Sequence, residues 1–425
     1  MKKYEIVYEQ IKDKILKGYL KQGERIDSIR QSCKKYNLSK TTIESAYNKL
    51  VEDGYIQSKE KIGYIVCIED YQIALHQSIQ KQKKIQKPIQ YTYDFRVSSV
   101  SFDSFETNIW KRYLKDVLND KSTMSSYGLS QGEIELREAL SKYIQKNRNI
   151  LSSSENIVIG SNYQSLLYIF CGMLKKDCII AVSEYVNHQA LQVFQSYGYQ
   201  VKFLRIDSFM DDLKTSKADV LYINTTCFTR DKKSMPNDIR NQLIAMDSLL
   251  ILEDDYNGEL IYASRVKPSL FSKCTHIIYM NSFSRLLLPS LRISYMILNE
   301  DYLQKYLNLD LGPTTSKIEQ IAFSRYIRDG YLQKHLRKLV REYSLRQKKM
   351  KELLNYYFHE EFYLNEAYMS YCFEYQGDIE KLKDACTSQV AFSIEDQVVR
   401  LSFASISEEN MEKGLEKFAS ILYNI

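Results

Sequence analysis

Residues Asn281–Tyr295 read NSFSRLLLPSLRISY. They continue an apolar run, His276–Met280 (HIIYM), into a cluster of small polar side chains that closes on Arg285. A short β-rich apolar run that ends in polar residues reads as a strand buried on both faces, with its carboxyl end open to a ligand. Four further runs have the same form: ENIVIGSN (155–162), CIIAVSEY (178–185), VLYINTT (220–226) and LLILEDDY (249–256). Helical stretches stand between them, YQSLLYIFCGML (163–174) and NHQALQVFQSYG (187–198) among them. That alternation predicts a mainly parallel α/β sheet covered on both faces. Ligands in such sheets sit beyond the carboxyl ends of the strands. Those ends carry Ser161-Asn162, Glu184, Asn224, Asp254-Asp255 and Ser282–Arg285, so a pocket is expected among them.

The chain has 425 residues, 44% of them hydrophobic. At roughly 150 residues per domain it is long enough for about three domains. Eight cysteines are scattered without a C-x-x-C pair or histidines at ligand spacing, which predicts a reduced, cytoplasmic protein with no metal site. MKKYEIVYEQ carries charges where a secretory leader needs an apolar core, and no run approaches membrane-spanning length. The net charge of +6 is uneven: residues 1–68 hold 14 Lys+Arg against 9 Asp+Glu. HQSIQKQKKIQKP (76–88) then adds Lys81, Lys83, Lys84 and Lys87 without an acid. A basic head on a near-neutral body points to a polyanionic partner at the head.

Within the head, Val7, Ile11 and Ile15 form an i, i+4, i+8 stripe ended by Gly18. Ser28 and Gln31 have capping-box spacing. Ser39 opens a third helix with Ile43, Ala46, Tyr47, Leu50 and Val51 on one face and Gly54 at its end. YIQSKEKIGYIV (55–66) reads as two short strands around a lysine-bearing turn. Helix, helix-turn-helix and hairpin make a winged helix, whose third helix enters the DNA major groove by its N-terminal residues. Here those are Ser39, Lys40, Thr41 and Thr42.

GYLKQGERIDSIRQSC, SKTTI and the Gly63-bearing hairpin resemble the GntR-type winged helix over nearly all of residues 5–67. The resemblance implies double-stranded DNA as partner, contacted by Arg30, Ser39, Lys40, Thr41 and Thr42, with Lys59, Lys61 and Gly63 in the wing. Asp27 replaces the usual proline. Glu44 stands where many relatives carry an arginine, which removes a phosphate contact.

YGLSQGEIELREAL (127–140), EDDY (253–256) and SFSRLLLPSLRISY (282–295) resemble the MocR subgroup of GntR regulators. That subgroup fuses a winged helix to a fold-type I aminotransferase-like domain, and the likeness spans about residues 94–405. It implies a pyridoxal phosphate (PLP) site with Asp254 on the pyridine nitrogen, Tyr256 on the ring hydroxyl and Arg292 on the phosphate. It further implies Arg400 on a substrate or effector carboxylate. The family lysine after S-F-S, which carries the internal aldimine, is here Arg285. Guanidinium stays protonated, with a pKa above about 12, so it is a poor nucleophile for an aldehyde. Further departures fall in the same pocket: Arg230, Asp231 and Lys232 replace a P-T-G turn, and Asn187 stands at the ring-stacking position, with Tyr185 nearby.

The resulting expectation is an N-terminal winged helix (1–68), a linker (69–92), an aminotransferase-like large domain (93–305), and an interdomain helix with a smaller α+β subdomain (306–425). A homodimeric DNA-binding regulator is expected, with no catalytic residues and no covalent cofactor. Its degenerate site comprises Asn187, Asp254, Tyr256, Ser282, Ser284, Arg285 and Arg292. PLP would be held there only non-covalently, and Arg285, Arg292 and Arg400 would suit a small anionic effector if they converge. Two other readings stay open: a PLP-dependent or PLP-responsive protein that keeps the cofactor, and a regulator whose body is a ligand-free scaffold. The cation-rich HLRKLVREYSLRQKKMKELL (335–354) reads as the solvated face of a long helix, and the 35 tyrosines as compositional habit.

Overall fold

The computed structural model describes residues 2–68, 91–97, 105–229, 234–256, 258–263, 267–274, 276–395 and 397–424. The basic run at Lys81–Lys87, the expected linker up to residue 90, and Arg230, Asp231 and Lys232 lie outside the described residues. The chain forms two compact units, residues 1–89 and 90–425.

The first unit is a winged helix: α1 (Lys3–Leu16), α2 (Ile29–Tyr36), α3 (Lys40–Glu52), then β1 (Ile56–Lys59) paired antiparallel with β2 (Gly63–Val66). Its core gathers Val7, Ile11, Ile15, Ile43, Ala46, Tyr47, Leu50 and Val66. Val51, expected on the buried stripe, is 39% exposed, because it lies at the edge of the apolar arc near the end of α3. The caps form as spaced. Ser28 and Gln31 make a reciprocal box at α2, and the Ser39 hydroxyl accepts from the Thr42 amide at α3. Each satisfies amides that the first helical turn leaves without partners.

The second unit is built on a seven-stranded sheet of β4 (Ile157–Gly160), β5 (Ile179–Ser183), β6 (Gln200–Leu204), β7 (Val220–Asn224), β8 (Leu250–Asp254), β9 (Ile277–Ser282) and β10 (Ser294–Ile297). The order is β4-β10-β9-β8-β7-β5-β6. All pairings are parallel except those of β10, which runs antiparallel to β4 and β9. Successive residues feed different cores. Ile157, Ile159, Tyr279 and Tyr295 face one, and Val158, Ile278, Met280 and Met296 the other. Across the sheet, Leu221, Ile223 and Ile251 oppose Tyr222 and Leu252 in the same way. Apolar continuity along these strands therefore reflects burial on both faces.

A four-stranded antiparallel sheet forms the smaller subdomain: β11 (Tyr363–Asn365), β12 (Ser370–Glu374), β14 (Ser393–Glu395) and β15 (Val398–Ser402), in the order β11-β12-β15-β14. Two packing relations cross the expected 305/306 boundary. The short strand β3 (Tyr93–Asp94) pairs with β13 (Val390–Ala391), and the helix Lys317–Arg328 packs on the helices Thr107–Leu118 and Ile134–Arg148. The 27-residue helix Tyr331–Tyr357 contacts both Lys317–Arg328 and the C-terminal helix Glu408–Leu422. Its cations are not uniformly solvated: Arg346 is buried, pairs with Glu342 at 2.6 Å and donates to the Ala404 carbonyl. No helix among the described residues is long and apolar enough to cross a membrane.

Candidate functional site

In the head, Arg30, Ser39, Lys40, Thr41, Lys59 and Lys61 are exposed, and Thr42 is half-buried. The Ser39 hydroxyl is shared with those of Thr41 and Thr42 at 3.1 and 2.8 Å, so these groups already order one another. Lys61 and Gly63 hold positive φ angles of 63° and 100°, which give the β1–β2 turn its tight shape. A side chain at residue 63 would be strained by that φ, and its Cβ would lie in ordinary contact with Arg25 Nε at 3.6 Å. Arg25 was not singled out in the sequence. It lines a cleft of about 560 Å³ together with Ile29, Arg30, Lys40, Gly63 and Tyr64. The Gly63 position in the hairpin was its only sequence signal.

In the body, Asn224 and Asp254 from the expected strand ends line one pocket, whereas Glu184 lines another and Asp255 is paired with Arg148. β8 ends on Asp254 with Tyr256 just beyond it, β9 ends on Ser282, and the loop that follows carries Ser284 and Arg285. Asp254 is buried and accepts a 2.6 Å hydrogen bond from the Tyr222 hydroxyl, which in turn lies 2.7 Å from that of Tyr163. Burial pushes the Asp254 carboxyl up to about 7, against the opposing pull of the Tyr222 hydrogen bond. Burial also raises Glu253 and Glu259 to about 7. Ser282 Oγ accepts from Ser294 at 2.9 Å and donates to Ser284 at 3.1 Å, a closed hydroxyl chain.

Arg285 lies between two tyrosine rings. Its guanidinium carbon is 5.4 Å from the Tyr256 ring centroid and 5.0 Å from that of Tyr368, within cation–π range. Its Nη2 donates to the Val97 carbonyl at 2.9 Å. Arg400 approaches the same Tyr368 ring at 5.4 Å and is ion-paired with Glu395. The structure thus brings Arg285 and Arg400 to one ring. Arg292 does not join them: it is exposed on the loop before β10, and no hydrogen bond or ion pair of its guanidinium is found among the described residues. Asn187 is exposed and caps the helix His188–Ser196 through the Gln189 amide at 2.8 Å.

Tyr185, Asn187, Tyr222, Asp254, Tyr256 and Tyr368 enclose a cavity of only about 30 Å³. That is about one water molecule's share of liquid volume. A substituted pyridine ring with its phosphate does not fit between these side chains as they stand. Tyr163, Tyr222 and Tyr368 were missed in the sequence; Tyr222 stands inside an apolar run, where a tyrosine reads as core, and Tyr163 and Tyr368 lie outside any motif.

Residues 3–66 match the family described as bacterial regulatory proteins of the gntR family, and residues 97–418 match aminotransferase class I and II. The chain belongs to the MocR subgroup of GntR regulators. It is 27% identical over 354 residues to the HTH-type transcriptional regulator YdeL of Bacillus subtilis, covering 80% of this chain and 76% of that one. It is 23% identical to the probable rhizopine catabolism regulatory protein MocR of Rhizobium meliloti, over 80% and 75% of the two chains. NorG of Staphylococcus aureus, a further HTH-type transcriptional regulator, is 23% identical over 92% and 98%. In fold, the body is similar to LysN, the α-aminoadipate aminotransferase of Thermus thermophilus, with a TM-score of 0.68 at 20% identity over 78% and 92% of the chains. Membership of the MocR subgroup makes the chain an HTH-type, DNA-binding transcription regulator with an aminotransferase-like body.

Proposed function

We propose that this MocR-type chain binds double-stranded operator DNA through its head, while its body dimerises without forming an internal aldimine. One observation carries the second half. Arg285, which follows S-F-S where the family lysine stands, carries a guanidinium in place of an amine and lies over Tyr256 and Tyr368, two of the side chains that line the small cavity beside Asp254. Asp254, the acid that the resemblance assigns to a pyridine nitrogen, is already served by Tyr222. The cofactor's partners have closed on one another. On this reading PLP forms no covalent bond here and would be held only non-covalently, once these side chains part, and no catalytic residue is assigned.

In the head, Arg30, Ser39, Lys40, Thr41 and Thr42 act at the groove and Lys59, Lys61 and Gly63 at the backbone, with Arg25 added from the shared cleft. Dimerisation is supported by exposed apolar side chains over one stretch of chain: Leu118, Met124, Tyr127, Leu129 and Ile134, with Tyr127 95% exposed. A two-fold body would present two heads to two half-sites.

Whether the body also senses a ligand turns on Arg285 and Arg400. A small carboxylate or phosphate would meet both guanidinium groups beside Tyr368 once Glu395, whose side chain is 54% exposed, swings away. The ligand-free scaffold is the second reading, favoured by the small cavity. Thermal melting of the full chain with PLP, amino acids and dicarboxylates separates them. A ligand of the folded state adds about 2.7 kcal/mol at 100 times its dissociation constant. Stabilisation by a dicarboxylate that Arg400→Ala abolishes supports sensing, whereas a flat screen supports the scaffold. A visible aldimine band on adding PLP contradicts the closed seat.

A further inference from the structure

Helix α3 carries a carboxylate beside its outward-facing lysine. Lys40 opens the helix and Glu44 stands one turn later, with Nζ 3.4 Å from Oε1 and side chains 76% and 37% exposed. Ile43, Ala46, Tyr47 and Leu50 take the inner face, which leaves Lys40, Thr41, Glu44 and Ser45 toward the outside. The Ser45 hydroxyl is spent on the helix itself, donating to the Thr41 carbonyl at 2.9 Å. Lys40 also borders the cleft that holds Arg25 and Arg30, so Glu44 sits at the rim of a cationic surface.

A carboxylate facing DNA phosphates is repelled and finds compensation only at a donor. In the major groove the donors are the amino groups of cytosine and adenine, and a carboxylate accepts from cytosine N4, whereas Gln pairs with adenine N6 and N7. Lysine takes the acceptors of guanine. The pair Lys40–Glu44 therefore shows the groove a donor and an acceptor one helical turn apart. Because the pair is exposed, it opens at little expense when a base edge competes for it.

We propose that Glu44 is a specificity-determining residue of the head: its carboxylate accepts from a cytosine amino group in each half-site, with Lys40 held beside it for a neighbouring guanine. This rests on the reading of α3 as the groove-entering helix. It explains how a head with a glutamate at an arginine position still reads DNA: a general phosphate contact is exchanged for discrimination at one base pair.

The test uses the full chain and a randomised duplex pool. Selection with the unaltered protein gives a preferred site, and each position is then varied singly. Cytosine is expected to win by about tenfold at one position per half-site, the scale of one good base contact. Glu44→Ala should flatten that position to within about threefold and raise affinity for the unselected pool. Glu44→Gln should move the preference there from cytosine to adenine. Both variants should melt with the parent, since the side chain lies outside the core. If both select the same site with the same preference as the parent, Glu44 does not read a base. If the unaltered chain binds duplex but shows no cytosine preference, the inference fails while DNA binding stands. If it binds no duplex at all, the reading of α3 fails first.

Discussion

Asp254 sits at the junction of the inherited and the altered site. Its carboxyl titrates near 7 because it is buried, with Asp255 adding like charge. An unfolded aspartate titrates near 3.8. Between those values the folded chain holds a proton that the unfolded chain has released. This contribution to stability is full below about pH 4 and is lost as pH rises through about 7. Asp254→Asn keeps an acceptor for Tyr222 but cannot ionise, so it should raise the melting temperature more at pH 8 than at pH 5. A larger gain at pH 5 would contradict the assignment. In the head, Lys40→Ala should lower DNA affinity and reduce the slope of log affinity against log salt by about one if Lys40 meets one phosphate. An unchanged slope removes Lys40 from the phosphates and leaves it only the base contact. Residue by residue, legibility in the sequence followed backbone constraint. Ser28 and Ser39 were readable because caps are local. Arg292 was placed by motif spacing alone, and spacing cannot tell a side chain turned into a pocket from one turned to water. Tyr222 was hidden because alternation within a doubly buried strand leaves no polar signal, although its hydroxyl is the donor that closes on Asp254.

Between elements, the end of β8 is tied down by a buried ion pair. Arg148, the last residue of the helix Ile134–Arg148, pairs with Asp255 and donates to the Gly258 carbonyl at 3.0 Å. Tyr279 from β9 donates to the same carboxylate at 2.6 Å. Removing one partner of such a pair leaves an uncompensated buried charge, so Arg148→Ala should cost about 3–5 kcal/mol, whereas replacing both partners with apolar groups should cost less. Chemical denaturation of the body measures this, and a cost below about 1 kcal/mol would show that Asp255 finds another partner. The strands were legible from their apolar runs and polar ends, but this network was not. Arg148 lies about a hundred residues from Asp255, and neither position is unusual in its own neighbourhood. The antiparallel β10 was equally invisible, because two buried faces produce the same pattern in either strand direction.

At the scale of the whole molecule, two units of unequal size divide the work. The head has a small core with a cationic cleft, and the body is a large α/β scaffold, its main sheet covered on both faces, with a smaller antiparallel subdomain. Their order along the chain was readable because each carries a specific motif. Their assembly was not, since an exposed apolar stretch such as Leu118–Ile134 becomes recognisable only once the fold shows which of its side chains reach the surface. If that stretch joins two copies, Leu129→Glu should convert a dimer into a monomer in sedimentation velocity and weaken binding to a two-half-site operator more than to a single half-site. An unaltered sedimentation coefficient would place the interface elsewhere. The claim on which the whole reading depends is that Arg285 has ended covalent coenzyme chemistry in the body. Its most direct test is to incubate the full chain with PLP, reduce with borohydride, and determine the mass of every body peptide. The expected result is peptides of unmodified mass throughout residues 90–425. A pyridoxyl adduct on a lysine of the pocket, formed at stoichiometric coenzyme, would contradict it.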